Sequence, residues 1–118
     1  MNPLKVSGLW ASFAAAITGG GLLAATPVQA QDASAIYSQR CVSCHGPQGK
    51  GDGPAGKFLN PKPNDFAMSL RDKTDDWIAK SIKGGGAAVG LSKVMPAYPD
   101  LSDDQVKALV AFVKQLGS

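Results

Sequence analysis

The pentapeptide Cys41-Val42-Ser43-Cys44-His45 constrains this chain more than any other feature, because it holds both cysteines and the single histidine of the 118 residues. A small domain buries a limited apolar core and usually needs a disulfide, a metal or a cofactor to stabilise it. A bridge between Cys41 and Cys44 would close almost no loop and would therefore stabilise little. The pentapeptide must contribute to the fold in another way.

Two cysteines three residues apart, followed directly by a histidine, are the signature of covalent haem attachment. Cys41 and Cys44 lie one helical turn apart and can both bond to the vinyl groups on one edge of a porphyrin, while His45 binds the iron. A structural zinc site needs four ligands, and this chain could complete one only with an aspartate. A thioredoxin-like pair needs a βαβ context, which the sequence lacks. We predict one covalent haem c with its iron.

The second axial position of that iron has several candidates. A second histidine is absent, whereas lysine, asparagine or water would be possible ligands and methionine is the usual one in electron-transfer haems. Met95 is followed by Pro96, which favours an extended, rigid backbone at the methionine. Met68 lies in a polar stretch and is interpreted as a filler of the core. Met95 is the predicted distal iron ligand, opposite His45 as the proximal one.

Residues 1–30 are predicted to be a signal peptide. Lys5 precedes an apolar run from Val6 to about Ala25, and Val28-Gln29-Ala30 resembles a small-residue cleavage site. The alternative is an uncleaved membrane anchor, since an apolar run of about 20 residues can span a bilayer. After cleavage, residues 31–118 would form one domain in the bacterial periplasm. This domain would be attached to the membrane only if the signal is not cleaved.

Helical patterns dominate the rest of the chain. A helix is predicted from Ala33 to about Cys44, another after the N-cap Thr74, and a third after Ser102, whose partner Gln105 completes a capping box. Residues 46–63 contain five glycines and four prolines, which predict a long loop with at most a short helical turn at 55–59. The predicted fold class is all-α, with long loops that wrap a large apolar ligand.

The chain resembles the class I cytochrome c family, and most closely the small monohaem proteins of bacteria, along the whole of residues 31–118. The similarity is carried by Cys41-x-x-Cys44-His45-Gly46, Gly51-Asp52-Gly53-Pro54, Leu59-Asn60-Pro61-Lys62-Pro63-x-Asp65-Phe66, Ile82-x-x-Gly85, Met95-Pro96-x-Tyr98 and Leu101-Ser102.

The resemblance implies a bundle of three to five helices around one covalent haem, with Cys41 and Cys44 as thioether attachments, His45 as proximal ligand and Met95 as distal ligand. It also implies that Pro54 offers its carbonyl oxygen to the proximal imidazole, although Pro54 could equally serve only to shape a turn. The first and last helices are expected to meet, with Tyr37 or Ile36 against Phe112.

Several polar side chains could contact the haem propionates. Trp77 is interpreted as a core residue that could instead donate its N–H to a propionate. Lys57, Lys62 and Lys93 are interpreted as solvated side chains that could pair with propionates or form a docking rim. The formal charge is only +3, and the lysines are spread singly along the chain and not clustered. This pattern disfavours a nucleic-acid-binding protein.

An iron bound by histidine on one face and by methionine on the other has no open position for a small-molecule substrate. The sequence therefore predicts a one-electron carrier rather than an enzyme, one that docks transiently with redox protein partners. The alternative is a haem c subunit of a larger membrane or periplasmic oxidoreductase complex. A haem enzyme or gas sensor would require Met95 to be absent from the iron.

Overall fold

The computed structural model describes residues 19–22 and 28–118, and in these residues every regular element is helical, as the all-α prediction requires. None of the helices in this part of the chain combines the length and apolar character needed to cross a membrane. Most of the predicted signal peptide lies outside the described residues. The elements are α1 (Val28–Arg40), α2 (Val42–His45), α3 (Phe66–Ser69), α4 (Asp75–Gly84) and α5 (Asp103–Leu116), with 3₁₀ helices at Gly56–Phe58 and Gly86–Val89.

Helix α5 is the most regular element and begins where its capping box predicts. The Ser102 side chain accepts a hydrogen bond from the Gln105 backbone N–H at 3.1 Å, and the Gln105 side chain accepts one from the Ser102 N–H at 2.9 Å. Its buried face consists of Val106, Leu109, Val110 and Val113. This face packs against α1, where the rings of Tyr37 and Phe112 lie 5.2 Å apart between centroids. The predicted contact between the first and last helices is confirmed.

Helix α4 lies between α5 and the loop that carries Met95. Thr74 caps its first turn by accepting a hydrogen bond from the Trp77 N–H at 3.2 Å. The helix ends at Gly84 because Gly85 adopts a φ of 78°, which favours glycine. Two exposed ion pairs of 2.6 Å join α4 to α5, one between Lys83 and Asp103 and one between Asp75 and Lys114.

Three details differ from the sequence-based expectations. The first helix is interrupted at Cys41, so that α1 and α2 are separate. The one-turn helix α3 was not predicted; Asp65 caps it by accepting a hydrogen bond from the Ala67 N–H at 2.9 Å. The interpretation of Met68 as a core filler is wrong, because its side chain is 76 % exposed. A single helical turn buries Phe66 and leaves Met68 in solvent.

Candidate haem site

The haem-attachment pentapeptide forms a tight helical turn at the end of α1. The backbone N–H groups of Cys44 and His45 both donate to the Cys41 carbonyl, at 3.2 and 2.9 Å. Cys41 and Cys44 therefore lie within one turn, and His45 follows directly. Burial raises the pKa of the Cys41 thiol to about 11, so the unmodified thiol is neutral at pH 7.

A loop rich in glycine folds back onto the attachment turn through its backbone. The N–H of Gly51 donates to the His45 carbonyl at 2.8 Å, and that of Gly53 donates to the Cys44 carbonyl at 3.2 Å. A Cβ atom on Gly53 would overlap the Ser43 carbonyl, and one on Gly56 would overlap the Cys44 carbonyl. Close backbone approach therefore explains why glycine occupies these positions.

His45 presents its imidazole to the interior. The ring lies 4.9 Å from the ring of Phe66, which is itself buried. Burial lowers the pKa of His45, so the imidazole is neutral at pH 7 and can act as a metal ligand. Its Nδ1 atom is buried and has no hydrogen-bond partner, so the bond to the Pro54 carbonyl implied by the family resemblance is not formed in this structure.

Met95 lies on the loop between α4 and α5, and its backbone is held on both sides. Its carbonyl accepts a hydrogen bond from the Gly86 N–H at 3.1 Å, and its own N–H donates to the Ser92 carbonyl at 3.4 Å. The same loop is tied to α4 by the Tyr98 N–H, which donates to the Ile82 carbonyl at 3.1 Å. The methionine is half-buried.

One cavity of about 540 Å³ brings the four predicted site residues together, because Cys41, Cys44, His45 and Met95 all line it. This volume falls in the range of about 300–1,000 Å³ that cofactor sites occupy. The walls are mainly apolar and include core residues of α4 and α5. The charged lining residues are all basic, namely Arg40, Lys62 and Lys73.

These properties fit a haem. The cavity offers two thiols for thioether bonds, the His45 imidazole and the Met95 thioether sulfur as iron ligands, and an apolar wall for the porphyrin. Lys62 and Lys73 could face the two propionates, since Arg40 is already paired with Asp100 at 2.7 Å.

Comparison with known proteins decides the family. Residues 28–113 match the family model described as "Cytochrome C oxidase, cbb3-type, subunit III". The chain belongs to the cytochrome c family. It is therefore a small monohaem c-type cytochrome that binds haem c covalently, and the cofactor predicted from the pentapeptide is confirmed.

The cytochrome is similar in sequence to two curated proteins. It is 35 % identical over 97 residues to cytochrome c-552 of Nitrosomonas europaea, an alignment that covers 80 % of this chain and 86 % of the relative. It is 30 % identical over 82 residues to cytochrome c oxidase subunit 2 of Alkalihalophilus pseudofirmus. That second alignment covers 64 % of this chain but only 22 % of the oxidase subunit.

The polar residues weighed from the sequence divide into two groups in the structure. Trp77 packs against the core, as interpreted, and also lines the cavity. Lys62 lines the cavity as well, whereas Lys57 and Lys93 do not.

Sequence reasoning missed Lys73, whose ammonium group lies 4.7 Å from the centre of the Trp77 ring. Its spacing of four residues from Trp77 was the available signal, because residues four apart meet on one face of a helical turn. Lys73 lies two residues before the first residue of α4 and is outside the helix, so this signal was weak.

Proposed function

We propose that this cytochrome is a one-electron carrier of the periplasm, with haem attached to Cys41 and Cys44 and ligated by His45 and Met95. The observation that carries the proposal is that these four side chains line one apolar cavity. When bound, the haem iron supplies a single-electron Fe(III)/Fe(II) couple. The neutral imidazole of His45 and the Met95 sulfur would both ligate the iron, which would leave no open position for a substrate and supports a carrier rather than an enzyme. Ligation by the Met95 sulfur would also favour the reduced iron.

Electrons would enter and leave where the cavity opens to solvent. Leu91 and Val94 line the cavity and are nevertheless 49 % and 43 % exposed. Exposed apolar side chains beside the cofactor suit a small and short-lived contact with another redox protein. Lys62 and Lys73 also line the cavity and would add positive charge to its wall.

Axial ligation is tested by the visible spectrum of the purified holoprotein, recorded ferric, then dithionite-reduced, then with carbon monoxide. Met95 ligation predicts a far-red sulfur-to-iron band in the ferric protein and no response to carbon monoxide. The variant Met95→Ala should lose the band and bind carbon monoxide. Met68→Ala is the matched control, because Met68 is 76 % exposed and outside the cavity lining. A wild-type protein that binds carbon monoxide readily would reject the carrier proposal in favour of a haem enzyme or gas sensor.

The docking surface is tested by electron self-exchange between ferric and ferrous molecules, measured by NMR line broadening. Leu91→Lys places like charges face to face when two cavity openings meet, at a cost of about 1 kcal/mol for charges 4 Å apart in water. Self-exchange should slow about fivefold at low ionic strength and recover in high salt. Met68→Lys adds the same net charge outside the cavity lining and should have a smaller effect. Equal slowing in both variants would refute docking at Leu91.

A second candidate is a haem c subunit of a larger oxidoreductase, which the description of the matched family and the similarity to an oxidase subunit favour. Cell fractionation separates the two. A carrier should be recovered in the periplasmic extract as a free monomer, whereas a subunit should co-purify with a membrane complex. Mass spectrometry of the recovered haem protein then shows whether its chain starts at Gln31, as a signal cleaved after Ala30 predicts.

A further inference from the structure

The backbone of Gly86 forms hydrogen bonds with both ends of the segment 91–95, which ends at Met95. Its N–H donates to the Met95 carbonyl at 3.1 Å, and its carbonyl accepts a hydrogen bond from the Leu91 N–H at 2.8 Å. Gly86 is buried and opens the 3₁₀ helix Gly86–Val89 directly after α4. The methionine loop is thus bound to the end of α4 through one residue's peptide groups.

Glycine is required at this position by space and not by backbone conformation. Gly86 is not among the glycines with positive φ in the described residues. A Cβ atom added there would overlap the Ser92 carbonyl oxygen and would lie 3.4 Å from the Met95 Cβ. The Ser92 carbonyl is the acceptor of the Met95 N–H, so this overlap acts directly on the backbone that presents the methionine.

We propose that Gly86 is a positioning residue for the distal ligand: the absence of a side chain lets its backbone hold the Met95 loop against α4, with the methionine facing the iron site. Gly85 supports the same arrangement, since a Cβ atom on it would lie 2.9 Å from the Met95 carbonyl. This inference rests on the proposed ligation by Met95. It adds that the strength of the sulfur–iron bond depends on a residue that does not touch the haem.

The test measures how readily an added ligand displaces Met95. Imidazole is titrated into ferric holoprotein, and loss of the far-red band is followed. Gly86→Ala should weaken the band and raise imidazole affinity about tenfold or more, because overpacking displaces the loop and favours the open site. Gly90→Ala controls for strain elsewhere in the loop: Gly90 has a φ of +77°, which Gly86 lacks, but no atom within 4 Å of an added Cβ. Its imidazole affinity should stay within about twofold of wild type, since its backbone cost falls outside the contact with Met95.

A double-mutant cycle separates positioning from a general loss of structure. If Gly86 acts through Met95, the double variant with Gly86→Ala and Met95→Ala should bind imidazole with the same affinity as Met95→Ala alone. Should Gly86→Ala not fold, Gly85→Ala is compared with Gly90→Ala: both glycines have a positive φ, but only at Gly85 would an added Cβ lie 2.9 Å from the Met95 carbonyl, so only Gly85→Ala should raise imidazole affinity. An intact band and wild-type imidazole affinity in the folded Gly86 variant would overturn the inference. A wild-type protein without the far-red band would instead overturn ligation by Met95, before any glycine variant is measured.

Discussion

The Tyr37 hydroxyl links the core to the haem-attachment turn, and its removal gives a sharp test of how that turn is held. Tyr37 is 2 % exposed and donates a hydrogen bond of 2.6 Å to the Gly46 carbonyl, one residue after His45. Tyr37→Phe removes this bond and leaves the ring in place between Phe66 and Phe112. The variant therefore isolates one hydroxyl group from the packing around it.

The expected loss of stability depends on which hydrogen bonds the Gly46 carbonyl keeps after the substitution. A buried carbonyl that loses its partner costs about 1–3 kcal/mol. The Gly46 carbonyl keeps a second donor, the Gly49 N–H at 3.2 Å, so the loss should lie near the lower end, at about 1.5 kcal/mol. If the free energy of unfolding falls by about 3 kcal/mol per molar guanidinium, the unfolding midpoint of the variant should fall by about 0.5 M.

The assay is guanidinium unfolding of the ferric holoprotein, followed by circular dichroism. Tyr98→Phe is the control, since its hydroxyl makes a hydrogen bond of 3.0 Å to the Arg40 carbonyl from a half-buried residue. Its loss should be smaller, below about 1 kcal/mol. A midpoint for Tyr37→Phe equal to that of wild type, or a smaller shift than in Tyr98→Phe, would refute the assignment of this hydroxyl as a support of the turn.

The same hydroxyl predicts a dependence on alkaline pH. Burial raises the pKa of Tyr37 from 10.0 to about 12, so the folded state favours the neutral hydroxyl. This contribution to stability is complete below pH 10 and is lost as the pH rises toward 12. The difference in midpoint between wild type and Tyr37→Phe should therefore narrow over this interval, and a constant difference would contradict the raised pKa.

Two further variants test the helix packing and the surface charges. Leu109→Ala, at a side chain that is 1 % exposed, should lower the free energy of unfolding by about 2–5 kcal/mol in the same denaturation assay; a loss under 1 kcal/mol would show that the core relaxes around the site. Asp103→Asn should cause a small loss of thermal stability at pH 7, because a hydrogen bond from Lys83 lowers the pKa of the Asp103 carboxyl. Since that contribution is lost once the carboxyl is protonated, the difference should disappear well below pH 3.8, the ordinary value.

The long helices could be predicted from sequence because their signals are local. Ser102 and Gln105 mark the start of α5 through hydrogen bonds within four residues, and the apolar period that follows is long enough to define a face. Helix α3 has a similar cap at Asp65 but only four residues, too few for a period to be recognised. The same shortness explains the error at Met68, because no repeat indicated which side of the turn would face the core.

The proposed attachment residues could be named from the sequence for a chemical reason: Cys41 and Cys44 lie one helical turn apart, so both can reach one edge of a porphyrin, and His45 follows directly to bind the iron. The distal half of the site has no such local pattern. Gly86 lies nine residues before Met95 and directly after Gly85, whose positive φ ends α4. What distinguishes Gly86 is contact with the Ser92 and Met95 backbone, which depends on how the loop folds back. A residue that contributes space and not a functional group leaves no chemical pattern in the sequence, so its role could be found only in the structure.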